Sequence, residues 1–192
     1  LRAHLRILKG FGISPVVAIN AFPGDHDSEH EAIAQLAHEA GAEVAVSTHV
    51  RDGGKGAEAL AEAVRRACEH PSELQFTYEW DRPLAEKIEA VATKVYGADG
   101  VDYTPAARRD LARITELGYG DLPVVIAKTH LSISSDPTLL GSPTGWRLPV
   151  REVRLAAGAG YVYAIAGTMR TMPGLGKHPA AERIDIDEDG QI

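Results

Sequence analysis

Phe22 is one of three phenylalanines in the chain, and it stands in the polar turn Asn20, Ala21, Phe22, Pro23, Gly24, Asp25, directly after the apolar run Val16 to Ile19. A ring presented there offers a stacking surface to a flat ligand, a contact worth about 1–3 kcal/mol where nucleic-acid bases stack on aromatic side chains. The competing reading is a ring folded back as a cover for the sheet. Val46, Ser47, Thr48, His49 and Val50 close a second apolar run, and Arg51, Asp52, Gly53, Gly54, Lys55 and Gly56 follow at the start of a helical pattern. Backbone amides at a helix N-terminus suit an anion. The stretch is not a P-loop, because Lys55 is followed by Gly56 rather than by Ser or Thr and the glycine spacing differs. Gly174 to His178 lacks both that spacing and a following helix, and each glycine cluster by itself reads as a turn.

His26 and His30 are four residues apart with Glu29 beside His30, the spacing of a metal pair on a helix. The helical pattern opens at Ser28, however, which leaves His26 off the regular face, and no metal is expected. Cys68 falls on the apolar side of its helix and reads as a buried, inert thiol. No Ser, His and Asp order resembles a hydrolase elbow. Lys128, Thr129 and His130 follow the run Val124 to Ala127, and Ser142, Pro143, Thr144, Gly145 and Trp146 offer a hydroxyl, backbone amides and an aromatic ring. Either segment is placed to line a cofactor cleft. The alternatives are a solvated lysine at a strand end and a Trp146 ring in the core or at an interface.

The elements that position these residues read as follows. Val16 to Ile19 is a buried strand, and Ser28 with Glu31 has capping-box spacing before Ile33, Leu36, Ala37 and Ala40, a helix closed by Gly41. Val44 to Val46 gives a second strand, and Leu60, Val64 and Ala67 form the apolar face of another helix. Strand, helix, strand, helix predicts parallel α/β sheet, with ligands at the carboxyl ends of the strands, where both candidate loops lie. Asp81 reads as the cap of a helix through Leu84, Ile88, Val91 and Val95 to Gly97. Thr104 and Pro105 open a further helix through Leu111 and Ile114 to Gly118, so the two are expected to pack as a helical hairpin. Val124 to Ala127, Val150 to Leu155 and Tyr161 to Ala166 are strands of a C-terminal strand-and-loop region, and Glu69 to Gln75 is the best candidate for a subdomain junction.

Composition narrows the function classes. With 192 residues, 44% hydrophobic, and 20 Lys+Arg against 27 Asp+Glu, the chain has the make-up of a globular domain with a packed core. The absence of a basic run argues against a nucleic-acid partner, and no apolar stretch approaches the length of a membrane-spanning helix. A single cysteine, Cys68, fits a reducing compartment, and the chain reads as cytoplasmic. Leu1, Leu5 and Leu8 recur at helical spacing without a preceding cap. Ile184 and Ile186 lead into a turn without a return strand, so both ends are expected to be cuts in a longer protein.

Taken in order, the segments VVAINAFPGD, GGKGAEALAEAV, VYGADGVDYTPAA, AKTHLSISSDP, GSPTGW, VREVRLAAGAGYVYAIAGTMRTMPGL and IDID resemble the C-terminal third of formate-tetrahydrofolate ligase, over nearly the whole chain. The resemblance implies the ATP-dependent joining of formate to tetrahydrofolate through formyl phosphate, which the folate nitrogen then attacks. It implies Phe22, with Pro23, as the aromatic platform for the pterin ring and Val46 as an apolar wall of the same pocket. Position 50 is where the family presents a tryptophan on the opposite face; Val50 stands there, so half of the aromatic sandwich is missing. Pro143, Thr144, Gly145 and Trp146 resemble a PTGF-type loop near the adenine. Lys128 and the TMPGL segment around Met172 fall in family blocks without an assigned role.

The family's P-loop and most of its formyl phosphate contacts lie upstream of the stretch matched here. Phosphoryl transfer depends on positioned positive charge and Mg²⁺, so the chain is expected to be inactive alone. ATP and Mg²⁺ act through the N-terminal portion, tetrahydrofolate is the substrate held here, and a monovalent cation is a further candidate. The complete protein is expected to be a homo-oligomer. The implied fold is an α/β fragment: residues 1–70 belong to a parallel P-loop-NTPase-like sheet, and residues 71–192 comprise a helical hairpin and a smaller C-terminal strand-and-loop subdomain. The alternative function is a noncatalytic folding or oligomerisation module with a degenerate folate pocket, to which Val50 points.

Overall fold

The structure is a computed structural model that describes residues 1–169 together with His178 and Glu182. The Ile184 and Ile186 strand, the TMPGL segment around Met172 and the Gly174 to Lys177 stretch lie outside the described residues.

Helix α1 (Arg2–Gly10) buries Leu5 of its apolar stripe, with Ala37 and Ala42, in a small apolar cluster. It lies against the C-terminal end of α2 (Asp27–Glu39), where Arg2 pairs with Glu39 at 2.6 Å and Lys9 donates to the Ala40 carbonyl. Strands β1 (Val16–Asn20) and β2 (Glu43–Ser47), joined through α2, pair in parallel from Val16 opposite Glu43 to Asn20 opposite Ser47. Helix α2 starts before the predicted Ser28: the His26 N–H donates to the Glu29 carboxylate at 3.0 Å, so the acidic group three residues on is Glu29, not Glu31. Gly41, at φ 67, turns the chain from α2 toward β2 in a conformation that favours glycine. A short helix α3 (His49–Asp52) and a tight 3-10 turn (Gly53–Ala57) lead into α4 (Glu58–Glu69), which packs on β2.

Helix α4 buries Ala63 and leaves Val64 and Cys68 exposed. This corrects the buried-thiol reading: the face that meets the sheet is centred on Ala63, and Cys68 lies off it. Residues 70–83 run without helix or strand, tied down by the Gln75 N–H to the Phe11 carbonyl at 3.0 Å and by Lys94 to the Thr77 carbonyl at 2.9 Å.

The larger apolar cluster belongs to the second sheet, which has four strands in the order β3 (Val101–Tyr103), β5 (Leu148–Ala156), β6 (Tyr161–Ala166), β4 (Val124–Ala127). β3 with β5 and β4 with β6 are parallel; β5 with β6 is antiparallel, with an irregularity between Val150 and Glu152. The two helices expected as a hairpin touch each other, with a short strand between them in the chain. Helix α5 (Leu84–Ala90), extended by a π turn over Val91–Val95, and helix α6 (Pro105–Glu116) are separated by β3, and α6 packs mainly on β5. Val101 and Tyr103 find Leu148 and Val150 as register partners, a pairing supplied by residues more than 40 positions away and therefore invisible to local periodicity. Helix α5 begins at Leu84, not Asp81; Pro83 is extended at ψ 146, and the first intrahelical bond runs from the Lys87 N–H to the Pro83 carbonyl.

Lys87 is completely buried within this core, donating to the carbonyls of Gly120 (3.3 Å) and Leu122 (3.2 Å) and lying 5.9 Å from the Tyr78 ring centroid. Burial lowers its pKa, and the charges of Asp121 and Asp81 partly oppose that shift.

Candidate functional site

The parallel pairing of β1 and β2 brings their carboxyl ends side by side, and the Ala21 N–H extends the ladder to the Ser47 carbonyl at 2.9 Å. Three apolar side chains lie open at this edge: Phe22 is 53% exposed, Val46 42% and Val50 65%. Phe22 therefore points outward and is not a cover over the sheet. Pro23 beside it is also exposed. Val46 stands two positions after Val44 and shares its face of the strand, beyond the cover that packs on Val44.

The turn carrying Phe22 is held by Asp25. The Phe22 N–H donates to Asp25 Oδ2 at 2.8 Å, the Asp25 N–H donates to the Phe22 carbonyl at 3.1 Å, and His30 Nε2 lies 3.3 Å from the same Oδ2. The Phe22 amide, and after it His30, hold the Asp25 carboxyl below the usual carboxylate range. His30 is thus the partner of a carboxylate, and His26 marks the helix start. Among the described residues, no group of three or more His, Cys, Asp or Glu converges where a metal ion could sit.

The loop carrying Val50 is fixed from the other side. Ser47 is buried, with its hydroxyl 2.9 Å from His49 Nδ1 and 3.4 Å from the Gly56 carbonyl. The Thr48 N–H donates to that same carbonyl at 2.9 Å, and a Cβ added at Gly56 would come within 2.6 Å of Thr48 backbone. Gly56 is thus a close-packed point that seats α3, whereas Gly53 and Gly54 stand open. The Thr48 hydroxyl donates to Asp52 at 2.7 Å, and Arg51 together with Thr48 holds the Asp52 carboxyl down at about 2.

The second candidate group does not come together on one surface. Trp146 is 8% exposed and belongs to the larger apolar cluster, with its ring N–H donating to the Pro143 carbonyl at 3.1 Å. Thr144 and Gly145 are exposed and Pro143 is half-buried. One edge of Trp146 reaches a cleft of about 560 Å³ beside Ser134, Asp136 and Thr168 at the carboxyl end of β6.

Lys128 is not the solvated strand end that its position allows. Its ammonium donates to the carbonyls of Thr129 (3.1 Å), Ser132 and Ser134 (3.1 Å) and sits 4.8 Å from the Tyr96 ring centroid, where burial lowers its pKa. Neither this brace nor buried Lys87 is signalled locally in the sequence, because their partners are backbone carbonyls of remote or irregular segments.

The family model for formate-tetrahydrofolate ligase matches residues 1–192, the whole of the chain. The chain belongs to the formate-tetrahydrofolate ligase family. Relatives bearing that name include one from Cutibacterium acnes, 62% identical over 191 residues that make up 100% of this chain and 34% of the relative. One from Saccharopolyspora erythraea is 62% identical and one from Roseiflexus sp. 56% identical, each over 192 residues, 100% of this chain and 34% of the relative. The chain therefore spans about a third of the length of the curated relatives it matches. In this member of the ligase family the two candidate regions differ in what they offer: the β1–β2 edge presents open apolar side chains, whereas the aromatic ring of the 141–146 loop is packed inside.

Proposed function

We propose that this chain is the folate-side and adenine-side portion of an ATP-dependent ligase that joins formate to tetrahydrofolate through formyl phosphate. The observation that carries the reading is the exposed Phe22 ring at the same carboxyl edge of a parallel strand pair as exposed Val46 and Val50, where open α/β sheets receive ligands. On this reading Phe22 and Pro23 form the platform for the pterin, Val46 flanks it, and Val50 leaves the opposite face without a ring. Pro143, Thr144 and Gly145 contact the nucleotide through backbone and hydroxyl groups, with Trp146 supporting the loop from inside. The buried Trp146 ring favours that supporting role over stacking on adenine.

ATP phosphates and Mg²⁺ are handled by the part of the ligase that this chain does not span. Among the described residues no three or more metal-ligating side chains converge. A monovalent cation would suit a ring of main-chain carbonyls, and the one formed by Thr129, Ser132 and Ser134 is taken by the Lys128 ammonium. On this reading the chain contributes folate and adenine contacts and is inactive alone. The complete ligase is a cytoplasmic homo-oligomer on this reading.

The test is a calorimetric titration of tetrahydrofolate into this chain, with Phe22→Ala alongside. Saturable binding that falls about tenfold on loss of the ring supports the reading, since stacking is worth about 1–3 kcal/mol. Binding of equal strength in both proteins, or none at millimolar ligand to folded protein, counts against a folate half-site here and favours an assembly module.

A further inference from the structure

We infer that Asp25, tethered by His30, is a positioning residue that sets the orientation of the Phe22 ring. The inference rests on the folate reading of the β1–β2 edge and names how its platform is held. Phe22 is more than half exposed, so side-chain packing contributes little to where the ring points. The direction in which its Cα–Cβ bond leaves the turn is set by its backbone, and both main-chain polar groups of Phe22 are held by the same residue: the N–H by the Asp25 carboxylate at 2.8 Å and the carbonyl by the Asp25 N–H at 3.1 Å. Pro23, between them, restricts φ inside the turn.

The carboxylate is itself anchored. His30 Nε2, 3.3 Å away, projects from the first turn of α2, whose start is pinned by the bond from the His26 N–H to Glu29. A chain of contacts therefore runs from the rigid helix through His30 and Asp25 to the backbone that aims the ring. A flat ligand meeting a ring already held in place avoids the ordering cost that a loose loop would impose. His26, Asp27 and Glu29 are the other ionisable groups of that turn, and neither Asp27 nor Glu29 is hydrogen-bonded to the Asp25 carboxylate.

The experiment uses the ¹⁵N-labelled chain and reads the Phe22 amide, its chemical shift and its hydrogen-exchange rate, beside tetrahydrofolate binding by calorimetry on the same samples. Asp25→Ala is expected to speed Phe22 exchange and weaken binding by about tenfold each, the scale of one lost charge-assisted hydrogen bond. Asp25→Asn keeps an acceptor oxygen at the same place and is expected to restore most of both. His30→Ala is expected to act in the same direction with smaller size, and no response there overturns the tether. A Phe22 amide unchanged in Asp25→Ala overturns the clamp, whatever happens to binding. A parent chain that binds no tetrahydrofolate while its Phe22 amide responds as expected overturns the folate reading and supports the clamp. Circular dichroism on each variant separates either result from loss of fold.

Discussion

At position 50 a valine with 65% of its surface open stands where resemblance to the ligase family implies a tryptophan. Because α3 is fixed by Ser47, Thr48 and Gly56 and not by Val50, a larger side chain there meets solvent instead of a packed neighbour. Val50→Trp is therefore expected to leave the unfolding midpoint unchanged and to tighten tetrahydrofolate binding by about 1–3 kcal/mol, the worth of one stacked ring. Calorimetry checks it, and a variant that binds no better than the parent would place the ligand elsewhere. The same loop supplies a pH prediction. The Asp52 carboxyl is held at about 2 by Arg51 and Thr48, below its unfolded value of about 3.9. Its stabilising contribution is thus complete above about pH 3.9 and is lost as pH falls through about 2. A carboxyl-carbon NMR titration should find that midpoint near 2, and Arg51→Gln should raise it, with the Thr48 hydroxyl retaining part of the shift.

Among the elements, Thr104 shows how one hydroxyl can serve two joints. Its Oγ1 accepts from the Ala107 N–H at 3.1 Å, capping α6, and donates to the Arg151 carbonyl at 2.6 Å, tying the helix start to β5. Thr104→Ala should cost about 1–2 kcal/mol in chemical denaturation, at the upper end for a cap because a cross-link goes with it, and Thr104→Ser should recover most of that. That cap was legible in the sequence, as were β1, α2, β2, α4, β4 and β6, because each carries its own periodicity or turn residues. What escaped was non-local. β3 is three residues long and exists as a strand only because Leu148 and Val150 lie beside it. The start of α2 lies at Asp27 and not at Ser28 because Glu29 serves the His26 amide, and two acidic residues separated only by His30 give the sequence no way to choose. The candidate site divides in the same way. A loop after each of two parallel strands was readable from pattern alone, and Phe22 and Val50 fall in those loops. The bond from the Phe22 amide back to Asp25 depends on a side-chain rotamer, and the inward turn of Trp146 depends on a core assembled from α5, α6 and the four-stranded sheet.

For the molecule as a whole, two apolar clusters of unequal size divide the work of folding: a small one around Leu5, Ala37 and Ala42, and a large one spanning α5, α6 and the four-stranded sheet. Lys87, the one buried lysine among the described residues, lies against the large cluster beside Tyr78, which makes it a test of what holds that core together. Taking an ammonium out of water is costly, and the carbonyls of Gly120 and Leu122 offset that only while the donor is present. Lys87→Ala removes the stem from a close-packed site and leaves both carbonyls without their donor. The expected loss is about 2–4 kcal/mol, read as a lower denaturation midpoint at unchanged slope. The sign of the pH dependence separates this from simple cavity formation. Burial puts the folded-state pKa of Lys87 below its unfolded value of about 10.4, so in the interval between them the unfolded chain binds the extra proton and stability attributable to this residue rises with pH. The gap between parent and Lys87→Ala should therefore widen as pH is raised toward 10. A gap constant with pH would show that the Lys87 ammonium has the same pKa in the folded and unfolded chain and would overturn the desolvation argument.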